Sequence, residues 1–229
     1  MMTRISVIIP AYNEGKRIET TLNSVLKTFN DVEILIISNG SKDNTIEIAK
    51  KWKEKNDNIN YLDFPNKLGK GGAIIEGLKI AKGDVIGFID ADDAFDLEFL
   101  RASIEKYNIF DCIIASKWKE RNFFRVNEPF LRKILSRGWN ILTRLLLKLH
   151  YNDTQAGAKF FKKSVIGKIG YDFISKGFAF DIELLNRIKK NNFIIKEVYI
   201  PSKFVEGSTF RIKHCPNMLK DLLKVWWSR

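Results

Sequence analysis

A chain of 229 residues with 45% hydrophobic content is long enough to bury one sizeable core, and its composition excludes a disordered chain. Lys and Arg total 39 against 27 Asp and Glu, and the resulting charge of +12 points to phosphate-rich partners: nucleic acid, an anionic membrane surface or phosphorylated substrates. Two cysteines, Cys112 and Cys215, lie outside any CxxC spacing, and with only His150 and His214 beside them they favour neither a disulfide framework nor a zinc site.

The elements follow in chain order. "MMTRISVIIPAYNE" carries an apolar run too short for a signal peptide, and no later stretch reaches the ~18 to 20 apolar residues of a spanning helix, so a cytoplasmic protein without a transmembrane segment is expected. "ISVIIP" reads as a strand, 15–28 as a helix and "VEILIIS" as a strand; a helix starts near Asp43, with Ser41 and Asp43 as candidate caps. "INYLDF", a helix from Lys70 to Ala81 and the strand "DVIGFID" complete a βαβα order. That order predicts an α/β fold, a mostly parallel sheet flanked by helices, with ligands beyond the carboxyl ends of the strands.

After residue 94 the alternation fades. "FDCIIAS" reads as one more strand, and a basic, aromatic stretch follows that turns helical near Pro129. From Lys117 to Lys148 nine basic residues face only Glu120 and Glu128. Within it Ile134, Leu135, Trp139, Leu142, Leu145, Leu146 and Leu149 recur at helical spacing, with Arg137, Arg144 and Lys148 between them, which suits a helix lying at a membrane interface. "MLKDLLKVWWSR", with Trp226 and Trp227, repeats that pattern as a C-terminal amphipathic helix. No repeat or linker appears, so a single domain over 1–229 is expected.

"VIGFIDADD" ends a strand in acids. In an extended segment alternate residues face one way, so Asp90 and Asp92 point together, and like charges this close call for a cation. Hard ions such as Mg²⁺ or Mn²⁺ take such oxygen ligands, commonly with phosphate oxygens completing the shell. Asp93 is a candidate helix cap. The GxGxxG fingerprint is absent, yet "KLGKGGAIIEG" opens a helix on Lys70, a turn able to cradle an anion through backbone N–H groups and one ammonium.

"SVIIPAYNE", "IISNGSKDNT", "NKLGKGGA", "IDADD" and "DTQAGAKFF", followed by "FAFDIELL" and "EVYIPSKFVEGS", occur in an order that resembles the inverting GT-A glycosyltransferases of family 2. The resemblance spans roughly residues 4 to 225 and is strongest to dolichyl-phosphate glucosyltransferases, next to dolichol-phosphate mannose synthases. It implies a GT-A fold with a nucleotide-binding half, 1–94, and an acceptor-binding half, 95–229. Pro10, Tyr12 and Glu14 fall where the family cups the nucleotide; Asn39, beside Ser38, stands where an Asp pair is common, which leaves the base open. Lys70 and Gln155 join the donor side by the same resemblance, as do Asp153 and Lys159, although Ala158 replaces the usual aromatic. Asp90 and Asp92 match the DxD that holds a divalent ion on the donor diphosphate, with Ala94 where some mannose synthases add a ligand.

The resemblance also implies that Lys117, in place of the usual Arg, together with Arg132, Lys133 and Ser136, embraces an acceptor phosphate. Asp181 lies where relatives with hydroxyl acceptors keep a base. The implied activity is metal-dependent, inverting transfer of a hexose, from UDP-glucose first and GDP-mannose second, to dolichyl or polyprenyl phosphate on the cytoplasmic face of a membrane met peripherally. A soluble glycan acceptor is the alternative within the class. Outside it stand a sugar-nucleotide-binding protein without turnover, and a nucleic-acid-binding module suggested by Trp118, Phe123 and Phe124; the ordered motifs argue against nucleic acid as a partner.

Overall fold

In the computed structural model, which describes residues 4–121, 123–126, 128–203, 205 and 214–228, the first half of the chain follows the expected alternation. Strands β1 (Ile5–Ala11), β2 (Val32–Asn39), β3 (Ile59–Phe64) and β4 (Val85–Ile89) are joined by helices α1 (Ile18–Thr28), α2 (Thr45–Lys55) and α3 (Lys70–Ile80). β1 pairs in parallel with β2 on one side and β4 on the other, and β2 pairs with β3. The winding therefore reverses between β1 and β4. A crevice opens at such a reversal, beyond the carboxyl ends of the strands, and the turns carrying Tyr12 to Glu14 and Asp90 to Asp92 stand there.

The second half contains α4 (Leu97–Lys106), β5 (Cys112–Ser116), α5 (Phe130–Leu147), β6 (Ala158–Lys162), α6 (Lys163–Ile169), α7 (Phe180–Lys190), β7 (Ile195–Tyr199) and α8 (Cys215–Trp227). Together the strands form one seven-stranded sheet in the order β3-β2-β1-β4-β6-β5-β7. β6 runs antiparallel to both β4 and β5, while β5 and β7 are parallel. This is the mostly parallel α/β sheet that the sequence predicts, with one reversed strand inserted.

Alternation along the strands divides the core. Ile8, Leu35, Ile37 and Phe88 pack toward α3, α6, α7 and α8, whereas Val7, Ile9, Ile34 and Ile36 pack toward α1, α2 and α4. Burial on both faces is why these strands read as unbroken apolar runs. Each such side chain contributes about 1.5–3 kcal/mol relative to exposure.

Three local expectations are corrected. Asp96, not Asp93, caps α4, its carboxylate accepting from the Phe99 N–H at 2.9 Å, while Asp93 pairs with Lys203 at 2.9 Å. Ser41 does not cap α2; its hydroxyl accepts from the Asn13 N–H and so ties the second βα turn to the first, and Asp43 accepts from the Thr45 and Gly15 N–H groups. On α5, Trp139, Leu142 and Leu146 pack against the core and Leu149 is buried, because the inward stripe of the helix runs through Asn140, Thr143 and Leu147. The apolar face of α5 that meets solvent is Phe130, Leu131, Ile134, Ile141 and Leu145. α8 likewise buries Met218, Leu222 and Val225 and exposes Leu219, Leu223, Trp226 and Trp227.

Candidate functional site

The acids stand in a turn just past β4, not within it, and the Asp90 N–H extends the pairing with the β6 side by donating to Gly157 O at 2.9 Å. A Cβ on Gly157 would fall 2.4 Å from Asp90 Oδ2, so any larger residue there would push the carboxylate from its present position. Ala91, in the turn between the two acids, is buried. Asp90 Oδ1 lies 2.7 Å from Lys70 Nζ, and Lys70 also approaches Asp181 Oδ2 at 3.9 Å. Asp92 Oδ1 is buried without a hydrogen-bond partner among the described residues. Burial, then the neighbouring Asp90, push the Asp92 carboxyl above the usual range.

An unpartnered buried carboxylate oxygen beside a second carboxylate fits a hard divalent cation, since an ion supplies the missing partner and relieves the repulsion. Two carboxylates are the usual protein share of a magnesium or manganese site completed by phosphate. Among the described residues no group of three or more His, Cys, Asp or Glu side chains is arranged to hold a metal, so the pair would depend on such a ligand for the rest of its shell.

On the β1 side, Pro10 is the penultimate residue of the strand and Tyr12 is half-buried, its ring 3.8 Å beneath Lys67 Nζ. Glu14 is buried and held by Arg17 in a two-pronged contact at 2.7 and 2.8 Å. Burial dominates, Arg17 opposes it and Asp92 and Asp90 add to it, so the Glu14 carboxyl is pushed up to about 7. Asn39 is also buried, but its side-chain oxygen already accepts from the Leu68 and Gly69 N–H groups at 2.5 and 3.2 Å. Both lone pairs are used, so Asn39 shapes the turn instead of accepting from a base.

The cradle expected around Lys70 is closed in the same way. Gly69 takes the positive φ of +85° that only glycine adopts freely, and the N–H groups of Gly71 and Gly72 donate to Gly177 O and Lys176 O. With its Nζ on Asp90, Lys70 offers charge to the site, while these backbone donors are spent on the 176–177 segment.

Lys159 and Asp153 do not line an open surface. Lys159 is fully buried on β6, its ammonium 2.5 Å from Asp181 Oδ1 and 2.7 Å from Ala156 O. Asp153 is buried and accepts from the Lys117 N–H, and burial raises its pKa. Asp181, in the first turn of α7, is therefore an ion-pair partner to Lys159 and a neighbour of Lys70. The Gln155 amide donates to Phe178 O at 2.9 Å, leaving its carbonyl end for other contacts.

Of the residues expected on the acceptor side, the structure brings Lys117 and Arg132 together, while Lys133 Nζ lies 5.3 Å over the Phe123 ring. Lys117 follows β5, Arg132 lies on the first turn of α5 and half-buried Ser136 sits one turn further on the same face. Lys117 Nζ and Arg132 Nε lie 2.9 and 3.3 Å from the same oxygen, Glu128 Oε1. In the sequence Glu128 reads only as charge, and its spacing of four from Arg132 is the available signal. Arg137, which the sequence places among the cations of an interfacial helix, instead turns inward. Its guanidinium stacks 3.8 Å over Trp118 and donates to Asn152 O, burying Trp118 beneath it. Trp118 is thus withheld from base stacking, which removes one of the three aromatics that suggested nucleic acid. Phe204 and residues 206–208 of "EVYIPSKFVEGS" lie outside the described residues.

One reversed strand lies in a mostly parallel sheet, and the paired acids stand at the point where the winding reverses. The profile of Glycosyl transferase family 2 matches residues 6–170, and the chain belongs to that family. It is 30% identical over 236 residues to dolichyl-phosphate beta-glucosyltransferase ALG5D of Trichomonas vaginalis, covering 96% of this chain and 72% of that one. It is 28% identical over 233 residues to Glycosyltransferase AglD of Haloferax volcanii, covering 97% of this chain but only 37% of AglD, so the chain spans little more than a third of that relative. In fold it matches glucosyl-3-phosphoglycerate synthase of Mycobacterium tuberculosis, solved with Mn²⁺, UDP and glucosyl-3-phosphoglycerate, with a TM-score of 0.72, 18% identity and coverage of 99% of this chain and 80% of that one.

Proposed function

We propose that the protein transfers a hexose, glucose from UDP-glucose as the first choice, to the phosphate of a dolichyl or related polyprenyl phosphate, with inversion at the anomeric carbon. The observation that carries this reading is the Asp90–Asp92 pair, with its unpartnered buried oxygen, in a chain of this family that also brings two cations, Lys117 and Arg132, together. The names of the relatives supply the lipid acceptor and the glucosyl group. We read the chain as one domain, with the donor bound by 1–94 and the acceptor by 95–229.

Tyr12 and Glu14 are assigned to the nucleoside, Gln155 to the sugar side, and Asp90 and Asp92 to a magnesium or manganese ion. When bound, such an ion offsets the negative charge that develops on the leaving diphosphate. Lys70, already at Asp90, adds a fixed positive charge to the same region. Lys117, Arg132 and Ser136 hold the acceptor phosphate so that one of its oxygens is in line with the anomeric carbon. That oxygen forms the new bond as the bond to the diphosphate breaks, and orientation supplies much of the rate.

A phosphate monoester has a second pKa of about 6 and is largely ionised at neutral pH, so no general base is needed. Asp181, spent on Lys159 and Lys70, accords with that economy. The exposed apolar faces of α5 and α8, in a chain of charge +12, support peripheral contact with an anionic bilayer on the side where the acceptor resides. Among the described residues no helix is long and apolar enough to cross a membrane.

The test is a transfer assay with labelled UDP-glucose, GDP-mannose and other sugar nucleotides and dolichyl phosphate in detergent. Label in the lipid phase from UDP-glucose with Mn²⁺ or Mg²⁺ is the expected result. Transfer only to soluble glycans contradicts the lipid acceptor.

A further inference from the structure

Between the two cations assigned to the acceptor sits a carboxylate that the transfer reaction does not call for. Glu128 Oε1 lies 2.9 Å from Lys117 Nζ and 3.3 Å from Arg132 Nε. Its side chain is 6% exposed, and Oε2 is buried with no hydrogen-bond partner among the described residues. One oxygen of Glu128 therefore bridges an ammonium and a guanidinium contributed by different elements, as a phosphate oxygen would. A phosphate and this carboxylate carry like charge and draw on the same two cations, so the presence of one disfavours the other.

We propose that Glu128 is an internal stand-in for the acceptor phosphate: a specificity-determining residue that closes the Lys117 and Arg132 pair to free phosphate and yields to a phosphate delivered on an apolar chain. The proposal rests on the acceptor-phosphate reading above. Its second support is where Glu128 sits in the chain. Pro129 follows it, then Phe130 and Leu131, 69% and 56% exposed at the start of α5, and Phe124 on the preceding turn is 89% exposed. Free phosphate has only its charge with which to displace a carboxylate of the same sign. A lipid-borne phosphate brings apolar surface to the segment that must move, so burial of Phe124, Phe130 and Leu131 accompanies the exchange.

The experiment titrates inorganic phosphate into the full chain by calorimetry, comparing the natural protein with Glu128→Gln, which keeps the shape and removes the charge. The expected result is at least tenfold tighter binding in the variant, with the gain abolished by adding Lys117→Met. Unchanged or weaker phosphate binding by folded Glu128→Gln overturns the proposal, and Glu128→Ala carries the same comparison should Gln prevent folding. Transfer assays supply the selectivity arm: Glu128→Gln lowers KM for a short, water-soluble isoprenyl phosphate more than KM for dolichyl phosphate, and equal changes contradict the gate. If Lys117→Met and Arg132→Met leave transfer to dolichyl phosphate intact while phosphate binding still tightens in Glu128→Gln, the acceptor assignment fails and the gated anion site stands.

Discussion

Lys70, the first residue of α3, reaches across the crevice to Asp90 past the end of β4, with Nζ 2.7 Å from Oδ1. A cation bound by the acids meets the ammonium as a competitor for the Asp90 carboxylate. Lys70→Met is expected to strengthen binding of Mn²⁺ alone, read by the electron paramagnetic resonance of the free ion. The same variant loses transfer by about 10²-fold, the usual cost of removing one fixed positive contact from a developing anion. Weaker manganese binding in Lys70→Met contradicts this competition.

Glu14 imposes a pH dependence on stability. Burial raises its carboxyl from 4.5 to about 7, so between those values the folded chain holds a proton that the unfolded chain has lost. Stability therefore falls as pH rises through that window and the loss is complete above it, about 3 kcal/mol for the isolated group. Urea unfolding at the two ends of the window measures the difference, and Glu14→Gln is expected to remove most of it.

The Lys159 and Asp181 pair is a structural element with nothing to spare. Asp181→Asn strands a fully buried ammonium and is expected to cost about 3–5 kcal/mol of stability in a denaturation curve. Replacing both partners, as Lys159→Met with Asp181→Leu, recovers most of that loss. Full stability in Asp181→Asn, with activity alone lost, would return Asp181 to the role of a base.

The outer face of α5 offers a surface test. Ile141 and Leu145 are 60% and 72% exposed, so Ile141→Glu with Leu145→Glu leaves thermal stability within about 0.5 kcal/mol. Flotation with anionic vesicles is expected to fall severalfold. Unchanged flotation would move the membrane contact elsewhere.

How far the sequence speaks is best seen at β4 and β6. The first four strands announce themselves because β-branched runs alternate with helical spacing, and the acids after Ile89 stand out against the apolar run before them. "AKFFK" does not read as a strand, since its apolar core is two residues long and Lys159 looks like a solvated end; its burial depends on Asp181, a partner 22 positions away. Lys117 and Arg132 were legible by resemblance, whereas Glu128 between them and Arg137 on Trp118 follow from the approach of α5 to the end of β5. The same approach decides which leucines of α5 face inward. Periodicity alone gives a stripe without its direction.

Calorimetry of UDP-glucose binding, with Mn²⁺ and with a chelator, in the natural chain and in Asp92→Asn, tests the central claim most directly. The account predicts that manganese tightens donor binding in the natural chain, that Asp92→Asn loses this gain, and that the variant without metal melts at a higher temperature because its buried, unpartnered charge is gone. Donor binding by Asp92→Asn that still responds to manganese as the natural chain does would contradict it.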